Sequence, residues 1–183
     1  GLTESDLTIL EIGFTQQAAL AQPKSDASDT SKPDAIIGFS NNDAVGLKES
    51  GVAVRTIPVG DDIPLIGASL VTTQAVLEAR RAELNDAVMA SSRGMAAFVA
   101  DPDAAVTATR QYVPDLVDDA QAKQARAVAV ATAELIAPSG TYTTIGALDP
   151  SKAATMIEFL GTQGILGATT ITADGVCQPL LAA

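Results

Sequence analysis

The stretch of sequence that most constrains the fold is residues 32–51. An apolar run at residues 34–39 follows Pro33 and precedes four polar residues, a pattern that is typical of a buried strand. The four are Ser40, Asn41, Asn42 and Asp43. Any of them can cap a helix, and Gly51 ends the helix that follows. Open α/β sheets usually bind ligands where such polar groups follow a strand, although the same residues also serve as plain helix caps.

Apolar runs and short helices alternate over the first 72 residues. We predict strands at residues 7–12, 34–39, 52–59 and 63–72, with a first helix that Thr15 caps. This alternation predicts an α/β protein with a parallel or mixed sheet. From Thr73 onward the apolar residues recur at helical spacing, which predicts a helical layer with further helix starts at Asp101-Pro102 and Asp149-Pro150.

Composition removes several classes of function. The net charge of -11 argues against partners with a phosphate backbone, so no nucleic acid is expected, and against anionic membrane surfaces. The sequence has no His, which excludes His-based triads and His-containing zinc sites, and Cys177 is its single cysteine. We therefore predict a protein that is not an enzyme, with no catalytic residue, no metal and no cofactor.

Four blocks of the sequence, in order, resemble the THI5-like and sulfonate-binding class of periplasmic solute-binding proteins. Residues 1–14 are similar to a family strand that opens with Gly-Leu and closes on Gly. Residues 33–51 resemble the block in which an aromatic residue precedes Asn and an acid. Residues 65–105 resemble the helical part that contains Asp-Pro, and residues 149–164 resemble the closing helix with Phe-Leu and two glycines.

The resemblance implies a fold and a division of the chain. The chain would be the C-terminal portion of a periplasmic-binding-protein type II-like fold. Residues 1–62 would form an α/β segment of the second lobe, residues 63–72 a hinge or crossover strand, and residues 73–183 the helices that pack on the first lobe. Without that lobe their apolar faces would be bare, so we expect the isolated chain to self-associate or to fold only within a longer protein.

The resemblance also implies a function. Family members are solute-binding components of ABC importers, so the implied partners are a small polar ligand and a transporter permease. The implied location is extracytoplasmic, either periplasmic or lipid-anchored at the cell surface. Thiamine pyrimidine precursors, riboflavin, nitrate and alkylsulfonates are the ligands of the class.

The predicted ligand contacts lie at the starts of the two short helices. They are Phe14, Thr15, Phe39, Ser40, Asn41, Asn42 and Asp43. Backbone amides at the same helix starts would add hydrogen bonds. Phe39 directly precedes the polar cluster, so it is the better stacking surface of the two phenylalanines, and packing in the lobe core is the alternative.

Two other functions stay open. THI5-like pyrimidine synthases rely on histidine and metal chemistry, which a chain without His disfavours. An interaction or scaffold domain with no small-molecule ligand, in which Ala-rich helices pair with another chain, is the second.

Overall fold

Helices account for all the regular secondary structure in the described part of the chain. The computed structural model describes residues 3–59, 63–114, 116, 118–137 and 147–178. After a 3₁₀ turn at Glu4–Asp6, the helices are α1 Gln16–Ala21, α2 Asp43–Glu49, α3 Gln74–Ala79, α4 Arg81–Ala100, α5 Pro102–Thr109, α6 Asp119–Ile136, α7 Pro150–Thr162 and α8 Ala173–Val176.

The prediction of an α/β sheet, and with it of a type II-like lobe, is wrong for these residues. No β-strand is present in the described ranges, and the four runs predicted as strands lie outside any hydrogen-bonded ladder. Their apolar side chains are largely in solvent: Ile37 is 95% exposed and Val71 is 91% exposed. An alternating pattern only groups side chains by face. A sheet also needs a second backbone about 4.8 Å away that completes a ladder of hydrogen bonds, and the described residues form no such ladder.

Helix boundaries follow the local signals in the sequence. The Thr73 hydroxyl accepts a hydrogen bond from Val76 N at 3.3 Å, and the Asp149 carboxylate accepts one from Ser151 N at 2.9 Å. Thr73 and Asp149 therefore cap α3 and α7, and the predicted helix starts at these positions are confirmed. Gly51 ends the α2 segment as predicted, with a φ of 81° that suits glycine.

The helical period after Thr73 does not give one continuous helix. Arg80 has a φ of -133°, outside the helical range, and it separates α3 from α4. The Arg80 guanidinium bonds the Glu83 carboxylate one turn into α4. The periodicity of the apolar residues therefore continues across a break that it does not reveal.

The chain divides into two compact units. The first contains Gly1–Thr56 with Pro102–Leu135, and the second contains Ile57–Asp101 with Ile136–Ala183. In the first, α1 packs on α2; in the second, α3 packs on α4 and α7 on α8. The three-part division expected from the family stays a prediction, and its boundary at residue 62 lies outside the described residues.

Four of the six buried apolar side chains among the described residues are alanines. Leu47, Ala129 and Ala133 are buried in the first unit, and Leu77, Ala137 and Ala153 in the second. Alanine loses no rotamer freedom when it is buried, but it removes little apolar area from water. Among the described helices, none is long and apolar enough to cross a membrane.

Candidate functional site

A concave depression with a volume of about 450 Å³ lies in the first unit, where α1 and α2 begin, and we call it the pocket. Its volume falls within the range of roughly 300–1,000 Å³ that is usual for small-molecule pockets. The lining residues are Phe14, Thr15, Gln16, Gln17, Ala18, Phe39, Asn42 and Asp43. Five of the seven residues predicted to contact a ligand therefore lie together on one surface, although their contact with a ligand stays a prediction.

The turn before α1 presents the Phe14 ring. Gly13 has a φ of 57°, in the left-handed region that favours glycine. After it, the Thr15 hydroxyl donates to the Ile12 carbonyl at 2.6 Å, and Thr15 N donates to the same oxygen at 3.3 Å. These bonds close the turn, and the ring of Phe14 at its tip is fully exposed.

Asp43 holds the segment before α2, which we call the pocket loop (residues 39–43). Its Oδ2 accepts a hydrogen bond from Phe39 N at 2.7 Å, while Asp43 N donates back to the Phe39 carbonyl at 2.8 Å. The carboxylate lies very close to Gly38: a Cβ built there would be 2.4 Å from Asp43 Oδ2. The close approach of the Asp43 carboxylate therefore requires glycine at position 38, because a side chain would not fit there and not because of the backbone φ.

A polar contact links the two helix starts. Gln17 Nε2 of α1 donates to Asp43 Oδ1 at 3.2 Å. Gly46 of α2 is buried, and a Cβ there would be 2.4 Å from Gln17 Oε1. The missing side chain thus leaves room for the Gln17 amide beside α2. Through Gln17, Asp43 connects α1, which follows the turn that carries Phe14, with the loop that carries Phe39.

Phe39 is 76% exposed, so it does not pack in a core. The alternative that we considered for this ring is therefore not realised in the structure. Both phenylalanines at the pocket present their rings to solvent beside polar groups. Exposed aromatic rings next to hydrogen-bonding groups can stack on a flat, partly polar molecule.

The other two predicted residues lie outside the pocket. Asn41 turns away and its Nδ2 donates to the Thr132 hydroxyl of α6 at 2.8 Å. Ser40 is exposed and does not line the concave surface. A direct ligand contact by either residue stays a prediction.

The prediction that the Thr15 side chain caps the first helix is wrong, and Asn42 of the polar cluster does not cap α2 either. Both occupy N-cap positions, yet neither side chain accepts a hydrogen bond from the first turn of its helix. Thr15 instead bonds the preceding turn, and Asn42 lines the pocket.

The prediction missed Gln16, Gln17 and Ala18, which also line the pocket. They form the first turn of α1 directly after Thr15, so their position next to Thr15 in the sequence is the signal that could have identified them. The lining contains one charged side chain, the carboxylate of Asp43, and no Lys or Arg. Within the described ranges, no group of three or more His, Cys, Asp or Glu residues is placed to hold a metal ion.

Comparison with known proteins matches the part of the chain that contains the pocket to a protein family. The family model described as NMT1/THI5 like matches residues 1–105, which include every residue that lines the pocket. The riboflavin-binding protein RibY of Chloroflexus aurantiacus is 31% identical over 115 residues, which are 63% of this chain and 30% of the relative. The match thus spans less than a third of the relative's length. No solved structure matches this chain.

Proposed function

We propose, from the premise that this chain belongs to the NMT1/THI5-like family, that it forms part of a solute-binding protein whose pocket takes a flat, uncharged vitamin such as riboflavin. The protein would act without catalysis, outside the cytoplasm, in the periplasm or lipid-anchored at the cell surface. It would deliver its ligand to the permease of an ABC importer. The family membership and the name of the relative support these statements.

The observation that carries the proposal is the pair of exposed phenylalanines at one pocket. Phe14 and Phe39 offer apolar ring surface, while Asn42 and Gln17 offer amide groups beside it. An amide both donates and accepts hydrogen bonds, as the imide edge of a flavin or the edge of an aminopyrimidine requires. Stacking together with edge recognition suits a heterocycle better than a small inorganic ion.

The charge of the lining separates the ligands known for the family. Asp43 brings a negative charge, and the lining has no Lys or Arg to balance an anion. Nitrate or an alkylsulfonate would therefore meet repulsion without compensation. An uncharged flavin, or an uncharged thiamine pyrimidine precursor as the second choice, avoids this cost.

An interaction or scaffold domain remains the second candidate, and exposed apolar residues favour it. In the second unit Ile57, Leu70 and Val71 are each more than 70% exposed. Surfaces of this kind often mark contacts with other protein chains. This function predicts association without any effect of small molecules.

Riboflavin fluorescence gives a direct test of the proposal. The purified chain should quench it in a saturable titration, nitrate should not compete, and Phe39→Leu should weaken binding about fivefold or more, as expected for loss of one stacking face. Phe39 is exposed, so this variant should unfold like the parent. Asn42→Ala should also weaken binding.

Phe98→Leu is the matched control for the titration. Phe98 is half-buried in α4 and does not line the pocket, so its substitution should lower thermal stability and leave affinity unchanged. A folded parent that leaves riboflavin fluorescence unchanged at every concentration would contradict the proposal. Equal affinities of the parent and Phe39→Leu would remove Phe39 from the site.

A further inference from the structure

We propose that Thr132, on α6, is a positioning residue for the pocket: its hydroxyl holds the pocket loop through Asn41 and so affects ligand affinity without touching the ligand. The inference rests on the proposed function for its affinity readout. It concerns a residue 91 positions away from Asn41 in the chain, which carries no ligand-binding signal in the sequence.

The hydrogen bonds fix the direction of the Thr132 hydroxyl. The hydroxyl donates its proton to the Val128 carbonyl, one turn back in α6, at 2.7 Å. Its oxygen is then left as an acceptor, and Asn41 Nδ2 donates to it at 2.8 Å. Both side chains are half-buried, so water replaces this bond less readily than a bond on the open surface.

The bond ties the pocket loop to a longer helix. The other hydrogen bonds of the loop stay within the loop and the start of α2, except for the one from Gln17 of α1, a helix of six residues, to Asp43. The α2 helix has seven residues, whereas α6 has 18, and short helices depend on packing for their stability. Asn41 therefore connects the loop to the most extended support in the first unit.

Two further observations place α2 beside the same helix. Lys123 of α6 forms an ion pair with Glu49 at 2.9 Å, and Gly46 lies close to the Gln124 amide. Positions 41, 46 and 49 thus meet positions 132, 124 and 123, and this order indicates that α2 and α6 run in opposite directions. Of these contacts, the one with Thr132 is at the pocket end.

This arrangement predicts that riboflavin affinity depends on the presence of a hydroxyl group at position 132. Asn41 sits between Phe39 and Asn42, which both line the pocket. Without the bond the loop samples other conformations, and binding must then order it again. We expect Thr132→Val to weaken riboflavin binding between about twofold and about tenfold, the range for one net hydrogen bond.

The experiment compares Thr132→Val with Thr132→Ser, which keeps the hydroxyl, and measures two quantities. Riboflavin affinity should fall in the Val variant and stay at the parent value in the Ser variant. Backbone amide hydrogen exchange in residues 39–43 should become faster in Val only. Thr107→Val is the matched control, since the Thr107 hydroxyl bonds only the Asp103 carbonyl in its own helix. It should change neither quantity.

Each outcome decides one of the two proposals. If the parent binds riboflavin and Thr132→Val binds and exchanges like the parent, the positioning role is refuted and the proposed function stands. If the parent binds no riboflavin but exchange in residues 39–43 follows the hydroxyl, the proposed function fails and the hold of Thr132 on the loop stands. If Thr132→Val does not fold, Asn41→Ala breaks the same bond from the other side. Faster loop exchange then supports the role, and exchange at the parent rate overturns it.

Discussion

Gly38→Ala is the substitution that tests most directly how the pocket loop is built. The added Cβ would lie 2.4 Å from Asp43 Oδ2, 2.8 Å from Cγ and 3.0 Å from Cβ of the same side chain. Three short contacts with one side chain are not relieved by a small rotation, so the carboxylate has to leave. Its hydrogen bond from Phe39 N, at 2.7 Å, is lost with it.

The expected size of the effect combines two opposing terms. A hydrogen bond to a charged group contributes about 1.5–3 kcal/mol to folding, and the exposure of Phe39 favours the lower end. Replacing Gly by Ala stabilises by about 0.4–1 kcal/mol through the unfolded state, and Gly38 is not among the glycines with positive φ. We therefore expect Gly38→Ala to lower the free energy of unfolding by roughly 0.5–2 kcal/mol.

Chemical denaturation with a matched control measures this value. Gly67→Ala is the control, because a Cβ at Gly67 meets nothing within 4 Å and its φ is not positive either. It should show only the small gain from the unfolded state. In an Asp43→Ala background, Gly38→Ala should lower stability less than in the parent, since the carboxylate is gone and only the 3.0 Å contact with the Cβ at position 43 remains. Equal stabilities of Gly38→Ala and Gly67→Ala in the parent background would refute the argument for Asp43.

Two further predictions concern the rest of the chain. Hydrogen bonds from Ser151, first from its hydroxyl and then from its backbone N, lower the pKa of Asp149. The Asp149 carboxylate therefore stabilises the fold above its ordinary pKa of about 3.9. This contribution is lost as the pH falls through the lower pKa of the folded state. Urea titrations should show Asp149→Asn less stable than the parent at pH 7, with the gap closing in acid; a gap independent of pH would exclude the mechanism. The exposed side chains of Ile57, Leu70 and Val71 should make the isolated chain bind a hydrophobic dye and self-associate, and a compact monomer in sedimentation that binds no dye would contradict this.

Helix starts could be predicted from the sequence because each one is a local event. Thr73 and Asp149 cap with atoms two or three residues away, so the residues that decide the boundary stand next to it in the sequence. Gly51 ends its segment for an equally local reason, its positive φ. Whether a run joins a sheet cannot be predicted in this way, because a ladder depends on which distant segment lies alongside, and residues 34–39 form no ladder in the described structure.

Some features of the candidate site can likewise be predicted from the sequence, and others cannot. The adjacency of Phe39 to a polar cluster is visible in the sequence, and so is the start of α1 after Phe14. The choice that Asn41 makes between the pocket and α6 is not visible, because Thr132 is 91 residues away. Similarly, the sequence does not show that Gly38 and Gly46 are needed to let side chains approach, since neither has the positive φ that usually marks a required glycine.

The polar cluster before α2 therefore has structural and free members, and this division decides what the pocket can recognise. Asp43 uses both carboxylate oxygens, one on Phe39 N and one on Gln17, and Asn41 uses its amide donor on Thr132. The Asn42 side chain, in contrast, does not accept a bond from the helix that it precedes. An amide that lines a pocket and is not used as a cap is available to a ligand, and it can donate and accept at once. Because the remaining charge is negative and already engaged, recognition here depends on neutral hydrogen bonds and on the two exposed rings.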